Sequence, residues 1–336
     1  MPHGFSIRSL PVSVRSPMSI IVLGAVLPIF GLLTGCQKDS VTPEEDFERP
    51  EMDRHQFIPP DADKITPDQD PSPPILHTSE FQEPVPVPGI NTAGGEDAPF
   101  IPSDRDELYF FFVADVREDA SVQIQNPVNG IWVSKRQGGV WQEPTLLWLQ
   151  KSGLLALNGC PFVQGDEMIF CTARQGYSGL NWFRATYYDG EWRDWGIIAF
   201  DSALRVGELH IHDDTLYYHS DREGGAGGLD LWTATRAGNG DWRNPVNLAP
   251  VNTAADESRP YVTPDGNELW FTRTYEGTPA IFRSRRVAGQ WQEPELIVSR
   301  FAGEPTLDSD GNLYFVHHFY HNAVMLEVDI YVAYRK

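Results

Sequence analysis

The stretches Gly139-Val140-Trp141, Gly190-Glu191-Trp192, Gly240-Asp241-Trp242 and Gly289-Gln290-Trp291 place one tryptophan in the same local sequence again and again. The spacing is about 50 residues, a period typical of propeller blades and solenoid units. A single irregular domain has no reason to repeat itself at a fixed interval. The pattern therefore predicts that residues 81–336 form a repeat architecture.

Two further apolar columns run in step with the tryptophans. One has an aliphatic residue two places before an aromatic one, as in Leu108-Tyr109-Phe110, Leu269-Trp270-Phe271 and Leu313-Tyr314-Phe315. The other pairs an aliphatic with an aromatic residue, as in Ile131-Trp132 and Ile281-Phe282. Short apolar runs between Gly- and Pro-containing turns are typical of strands. The units begin near Asp97, Gly159, Gly207, Ser258 and Gly303. The sequence thus predicts an all-β, five-bladed β-propeller with four strands in each blade.

The fifth unit ends before its fourth strand. A matching segment stands at the other end of the repeat region, where Phe81-Gln82-Glu83-Pro84 resembles Trp291-Gln292-Glu293-Pro294. We therefore expect an N-terminal strand, residues 81–88, to complete the last blade, with Phe81 in the place of a fifth tryptophan. Such a strand covers the open sheet edge and closes the ring.

Units three and four carry a family resemblance. The run from Arg259-Pro260-Tyr261 to Leu269-Trp270-Phe271-Thr272 resembles the WD40-like propeller repeat of the TolB type. Ser220-Asp221-Arg222-Glu223-Gly224-Gly225, followed by Leu229-Asp230-Leu231-Trp232, is similar to the same repeat. The resemblance implies a propeller with a binding or scaffolding role in the bacterial envelope. It implies no catalytic residues, because the motif consists of fold-forming positions.

The first residues read as an export signal. Arg8 and Arg15 precede an uncharged apolar run, residues 20–33, which is shorter than the roughly 20 residues that a transmembrane helix needs. The run ends in Leu33-Thr34-Gly35-Cys36, which resembles a bacterial lipobox. That resemblance implies removal of residues 1–35 as a lipoprotein signal peptide and lipidation of Cys36. Gln37, where an aspartate would favour retention at the inner membrane, suggests the outer membrane.

Residues 36–80 are acidic and rich in proline, with few large apolar side chains. A segment of this composition buries too little apolar surface to offset its ordering entropy. We therefore expect a disordered tether between the lipid anchor and the propeller. The whole chain has a net charge of −21 and no basic stripe, which argues against nucleic-acid binding.

Charged side chains recur where the first strand of each blade begins. Because these strands line the central funnel of a propeller, the following residues are expected to converge at its mouth: Asp97, Glu208, Glu257, Arg259 and Glu304. Crowded carboxylates raise one another's pKa and can bind a cation or act as acid and base. Alternatively, Arg259 neutralises its neighbours inside a hydrated funnel.

A candidate metal site lies in unit three. A two-residue turn at Asp213-Asp214 makes His210 face Tyr217, which places Glu208, His210 and His219 on one face of the sheet. These are ligands that a divalent metal such as zinc accepts. The alternative is an ordinary hydrogen bond between a histidine and a carboxylate in a packed face.

Cys160 and Cys171 are a possible disulfide. A turn at Gly165-Asp166 sets a register in which the two cysteines lie opposite each other on neighbouring strands. An exported protein can be oxidised, so both a disulfide and two buried thiols are open.

These features favour a non-catalytic envelope lipoprotein that binds a protein or glycan partner. The expected contact surface is the funnel mouth or the loop face, where residues 115–128 and 317–321 depart most from the repeat. The alternative is a carbohydrate-active hydrolase that uses two funnel carboxylates. Sugar-cleaving enzymes with five-bladed propellers resemble one another in having an acid on each of the first three blades. Blade two here has Asn158-Gly159-Cys160 at the funnel position, and this departure from their pattern weighs against the hydrolase.

Overall fold

A computed structural model describes residues 49–336, and the predicted signal peptide and Cys36 lie outside this range. Antiparallel sheets dominate the described residues, and their order along the chain is that of a five-bladed β-propeller. The helical elements are a 3₁₀ turn at Arg54–Phe57, another at Ser202–Leu204 and an α-helical turn at Ala120–Gln123. In the described part of the chain, no helix is long and apolar enough to cross a membrane.

Strands A to D of a blade run from the propeller axis outward. In blade one they are Gly95–Phe100, Glu107–Val113, Gly130–Gln137 and the pair Val140–Trp141 and Thr145–Leu146. In blade two they are Ala156–Gln164, Glu167–Arg174, Asn181–Tyr188 and Glu191–Ile197. In blade three they are Leu209–His212, Thr215–Ser220, Asp230–Arg236 and Trp242–Asn247. In blade four they are Glu257–Val262, Glu268–Tyr275, Thr278–Val287 and the pair Gln290–Trp291 and Glu295–Ser299. In blade five strands A to C are Ala302–Leu307, Leu313–His321 and Val324–Ala333.

Strand D is interrupted in blades one and four. In both blades a proline, Pro144 or Pro294, stands in the gap between the two short pieces of the strand. Proline has no amide hydrogen to donate to the neighbouring strand, so pairing breaks there and resumes at the next residue.

The N-terminal strand closes the ring as predicted. Val85–Pro86 pairs antiparallel with strand C of blade five, with Val85 opposite Val332 and Pro86 opposite Tyr331. Phe81 forms a further bridge to Arg335 and is fully buried, with its ring 6.1 Å from that of Trp270. Blade five therefore takes its strand D from the start of the repeat region.

The recurring tryptophans form the core between blades. Each strand-D aromatic packs against strand B of the preceding blade, at the middle residue of the triplet in which an aliphatic residue stands two places before an aromatic one. The pairs are Trp192 with Tyr109, Trp242 with Ile169, Trp291 with Tyr217, Phe81 with Trp270 and Trp141 with Tyr314. This set of contacts runs once around the ring, so the period seen in the sequence is the period of blade-to-blade packing.

Residues 49–80 differ from the expected disordered tether, since they pack against the propeller. Ile75–Leu76 adds an outer strand to blade four, where Leu76 pairs with Val298. Ion pairs with the propeller hold other parts of the segment. Arg54 binds Glu96 in blade one. In blade five, Lys64 binds Glu327 and Asp329, and Asp70 binds His317. Ion pairs with a folded body can order a segment that has few apolar side chains, and composition alone does not reveal such partners.

Candidate functional site

A β-bulge recurs in strand A of four blades. At the bulge a non-glycine residue has a positive φ, between 49° and 57°, and is followed by proline. The four residues are Ala98, Cys160, Arg259 and Glu304. Because the strand pairing shifts at each of these points, the bulge turns the residue out of the sheet's normal alternation. Blade three has Glu208-Leu209 at the equivalent place, without the proline.

These bulge residues and Glu208 surround one small cavity on the propeller axis, with a volume of about 60 Å³. The residues two places further along four of these strands close the axis below the cavity. Phe100, Phe162, His210 and Tyr261 form an aromatic floor, with ring centroids 5.0 to 6.5 Å apart between contacting rings. The funnel is therefore a shallow, filled depression and not an open channel.

Arg259 is the centre of the depression. Its Nε lies 2.8 Å from Oε2 of Glu208 and 2.8 Å from Oε1 of Glu304. Burial raises the pKa of Glu208 to about 7, and Glu304 adds to this while Arg259 opposes it. Burial alone would lower the pKa of Arg259, but the surrounding acids outweigh it and raise that pKa. The predicted charge cluster forms for Asp97, Glu208, Arg259 and Glu304.

Asp97, Glu304 and His318 form a buried triangle beside Arg259. One donor atom from each residue lies within 4.8 Å of the other two. His318 Nδ1 is 3.2 Å from the carbonyl oxygen of Phe301. Since a carbonyl can only accept, Nδ1 carries the hydrogen and Nε2 keeps its lone pair. Within residues 49–336, neither His318 Nε2 nor Asp97 Oδ1 has a hydrogen-bond partner.

The sequence pattern did not single out His318 as a site residue, because residues 317–321 depart from the repeat and were expected on the loop face. Strand B of blade five continues to His321, so His318 is a strand residue near the axis. A usable signal was present, since the run from Leu313 to Tyr320 contains no glycine, proline or other turn residue.

Glu257 does not belong to the funnel cluster, in contrast to the prediction. Its carboxylate accepts hydrogen bonds from the backbone and hydroxyl of Thr253, at 3.0 and 2.6 Å, and from Arg273 Nε at 2.8 Å. Simple alternation would put Glu257 and Arg259 on the same side of the strand. The bulge at Arg259 breaks that alternation, so Glu257 serves to fix its own blade.

The predicted metal ligands Glu208, His210 and His219 do not come together either. The hairpin register was predicted correctly, with His210 opposite Tyr217. However, Glu208 turns to Arg259, His210 joins the aromatic floor and His219 packs over Gly207. Burial lowers the pKa of both histidines to about 3, so both are neutral at physiological pH.

Cys160 and Cys171 are free thiols in this structure, which contains no bond between them. The predicted register holds where Phe162 faces Ile169, but the bulge then puts Gly159 opposite Cys171. The two thiols remain close enough to interact. A hydrogen bond to Cys171 and burial raise the pKa of Cys160 well above its ordinary value.

Neither a model of any known protein family nor any curated protein matches the chain. Several solved structures are similar to it. An endo-arabinase from Bacteroides thetaiotaomicron is 16% identical, over 75% of this chain and 96% of that one, with a TM-score of 0.48. An α-L-arabinofuranosidase from Lactobacillus brevis is 13% identical, over 71% and 90%, with a TM-score of 0.45. TolB from Acinetobacter baumannii is 12% identical, over 73% and 55%, with a TM-score of 0.44. At these identities the likeness concerns the fold alone, and function must be argued from the chain's own residues.

Proposed function

We propose that this protein is a non-catalytic binding protein whose propeller engages a protein partner on the face that carries the funnel mouth. The observation that carries the proposal is an exposed apolar patch on that face, made of Leu154, Leu155, Tyr177 and Leu180. These side chains are between 39% and 45% exposed. Their two loops adjoin, since Gln175 N donates to the carbonyl of Leu155 at 2.9 Å.

The composition of the patch favours a protein over a sugar as the partner. Three of its four side chains are leucines, which bury apolar surface but cannot stack on a sugar ring as an aromatic side chain does. Apolar clusters rimmed by polar residues are typical of protein-binding surfaces. Because the chain has a net charge of −21, the matching surface is expected to combine apolar and basic side chains.

We expect Leu155→Asp to weaken partner binding at least about tenfold, since a buried leucine contributes roughly 1.5–3 kcal/mol. A photo-crosslinker at Tyr177 identifies the partner in cells, and titration of the purified partner measures the affinity. Val287→Asp is the matched control, because Val287 is 59% exposed at the end of strand C, on the opposite face. Equal affinity of the two variants for the crosslinked partner would contradict the proposal. Binding of a glycan without any protein crosslink would mean that the partner is a sugar and not a protein.

A carbohydrate-active hydrolase is the second candidate, because one observation favours it. Glu208 and Glu304 contact the same arginine nitrogen, and the pKa of Glu208 is raised to about 7. Two neighbouring carboxyl groups, one of them with a raised pKa, are the elements of glycoside hydrolysis. Hydrolysis of polysaccharides or aryl glycosides that disappears in Glu208→Gln would establish this candidate over the binding role.

We further propose that the propeller is held at the bacterial outer membrane through a lipid on Cys36. The support is the lipobox-like sequence Leu33-Thr34-Gly35-Cys36 after an uncharged apolar run. Cys36→Ser is expected to move the protein from the membrane fraction to the soluble periplasmic fraction. Fractionation of cells that express each form measures this, and a serine variant that stays with the outer membrane would refute the anchor.

A further inference from the structure

Within the described residues, the triangle of Asp97, Glu304 and His318 is the arrangement that most resembles a metal-binding site. Its three members come from strands of blades one and five, which are neighbours across the closure of the ring. All three side chains are at least nine-tenths buried, with exposed fractions of 2%, 7% and 5%. The ring closure therefore brings into one place three side chains that are far apart in the sequence.

Two atoms of the triangle indicate that a ligand binds there. Asp97 Oδ1 and His318 Nε2 are buried and find no hydrogen-bond partner within residues 49–336. A buried polar atom without a partner has lost its hydrogen bonds to water and gained none in return, so two at one place need an explanation. A cation that accepts lone pairs from both atoms would satisfy them together.

The surroundings of His318 are those of a metal ligand. Its Nδ1 faces the backbone carbonyl of Phe301, which fixes the ring and leaves the lone pair on Nε2. Metal-binding histidines usually donate their other ring nitrogen to a carbonyl or carboxylate in this way. The local charge agrees, because three carboxyl groups, of Asp97, Glu208 and Glu304, converge on a single arginine.

We propose that Asp97, Glu304 and His318 bind a divalent transition-metal ion, with zinc as the expected occupant. One imidazole nitrogen and two carboxylate oxygens suit zinc, whereas calcium prefers six to eight oxygen ligands. Ligand atoms around tetrahedral zinc lie about 3.3 Å apart, so the donors need to draw together by at most about 1.5 Å. The site is distinct from the apolar patch and does not depend on the proposed partner.

The test is metal binding by the full chain after treatment with a chelator. Titration with ZnCl₂ is expected to give one ion per chain and a rise in Tm, and CoCl₂ is expected to give visible absorption bands from nitrogen and oxygen ligation. His318→Gln and Asp97→Asn are expected to weaken zinc binding at least about 100-fold. His219→Gln is the matched control, because His219 is equally buried but lies outside the triangle.

The outcomes separate the possibilities cleanly. Zinc binding that is lost in both triangle variants but kept in His219→Gln supports the site, provided circular dichroism shows that the variants fold. No zinc bound by the wild-type chain would overturn it. So would folded His318→Gln and Asp97→Asn proteins that bind zinc as tightly as wild type, or a calcium response that persists in His318→Gln.

Discussion

Replacing residues 81–90 with a Gly-Ser linker of equal length is expected to abolish the cooperative unfolding transition of the propeller. This segment supplies strand D of blade five and buries Phe81, Val87 and Ile90 almost completely. Loss of one buried phenylalanine costs about 3–5 kcal/mol, and the whole domain is stable by only about 5–15 kcal/mol. Removing three buried side chains and an edge strand together therefore exceeds what the fold can tolerate.

Thermal unfolding followed by circular dichroism, with size-exclusion chromatography, measures the result. The linker variant is expected to show no sharp transition, or to associate through the uncovered edge of strand C in blade five. The same replacement at residues 117–122, which are exposed in the first B–C loop, is the control and should leave Tm nearly unchanged. A linker variant that melts like the wild type as a monomer would show that residues 81–90 do not close the ring.

The closing strand could be predicted because its signal is local. Phe81-Gln82-Glu83-Pro84 repeats a four-residue motif of strand D. The contact that Phe81 makes with the preceding blade is the one that the strand-D tryptophans make. The number of blades and most strands followed from the same repetition. Packing between blades requires one residue type at one position, so it leaves a record in the sequence.

The funnel was predicted only in part, because bulges change which way side chains point. The repeat alignment correctly grouped Asp97, Glu208, Arg259 and Glu304. It could not show that Glu257 turns away, or that Cys160 slips out of register with Cys171. The sequence holds a signal for these bulges, since each bulged residue is followed by proline, but its meaning depends on backbone geometry that alternation does not describe.

Ordering of residues 49–80 was missed because its cause lies in the propeller. In blade four Glu257 is paired by Arg273, which stands opposite it on strand B. In blade one the equivalent Glu96 stands opposite Phe112, so its own blade offers no cation there. Arg54 reaches in from the N-terminal segment and fills that role, 42 positions away in sequence. The signal in the sequence was therefore the lack of an arginine opposite Glu96 in the first repeat.

Arg54→Ala is accordingly expected to lower the free energy of unfolding by about 3–5 kcal/mol, because it leaves the buried carboxylate of Glu96 without its counter-charge. Arg54 is 1% exposed, donates to the carbonyl of Ile90 at 2.8 Å and lies 5.5 Å from the ring of Phe112. Urea denaturation measures the change. Arg117→Ala is the control, since Arg117 pairs with Asp115 at the surface and should contribute less than about 1 kcal/mol.

The pH dependence of this loss tests the assignment to Glu96. Burial already raises the pKa of Glu96 above its ordinary value of 4.5, although Arg54 opposes this, and removing Arg54 must raise it further. In the unfolded chain Glu96 loses its proton near pH 4.5, whereas in the native Arg54→Ala protein it loses it at a higher pH. Stability therefore falls as the pH rises from 4.5 to the native pKa of Glu96. The cost of Arg54→Ala should therefore be larger at pH 8 than at pH 5. Adding Glu96→Gln should remove this difference and restore part of the stability. A cost that is independent of pH, or unchanged by the second substitution, would mean that Arg54 acts through its packing on the aromatic rings rather than through its charge.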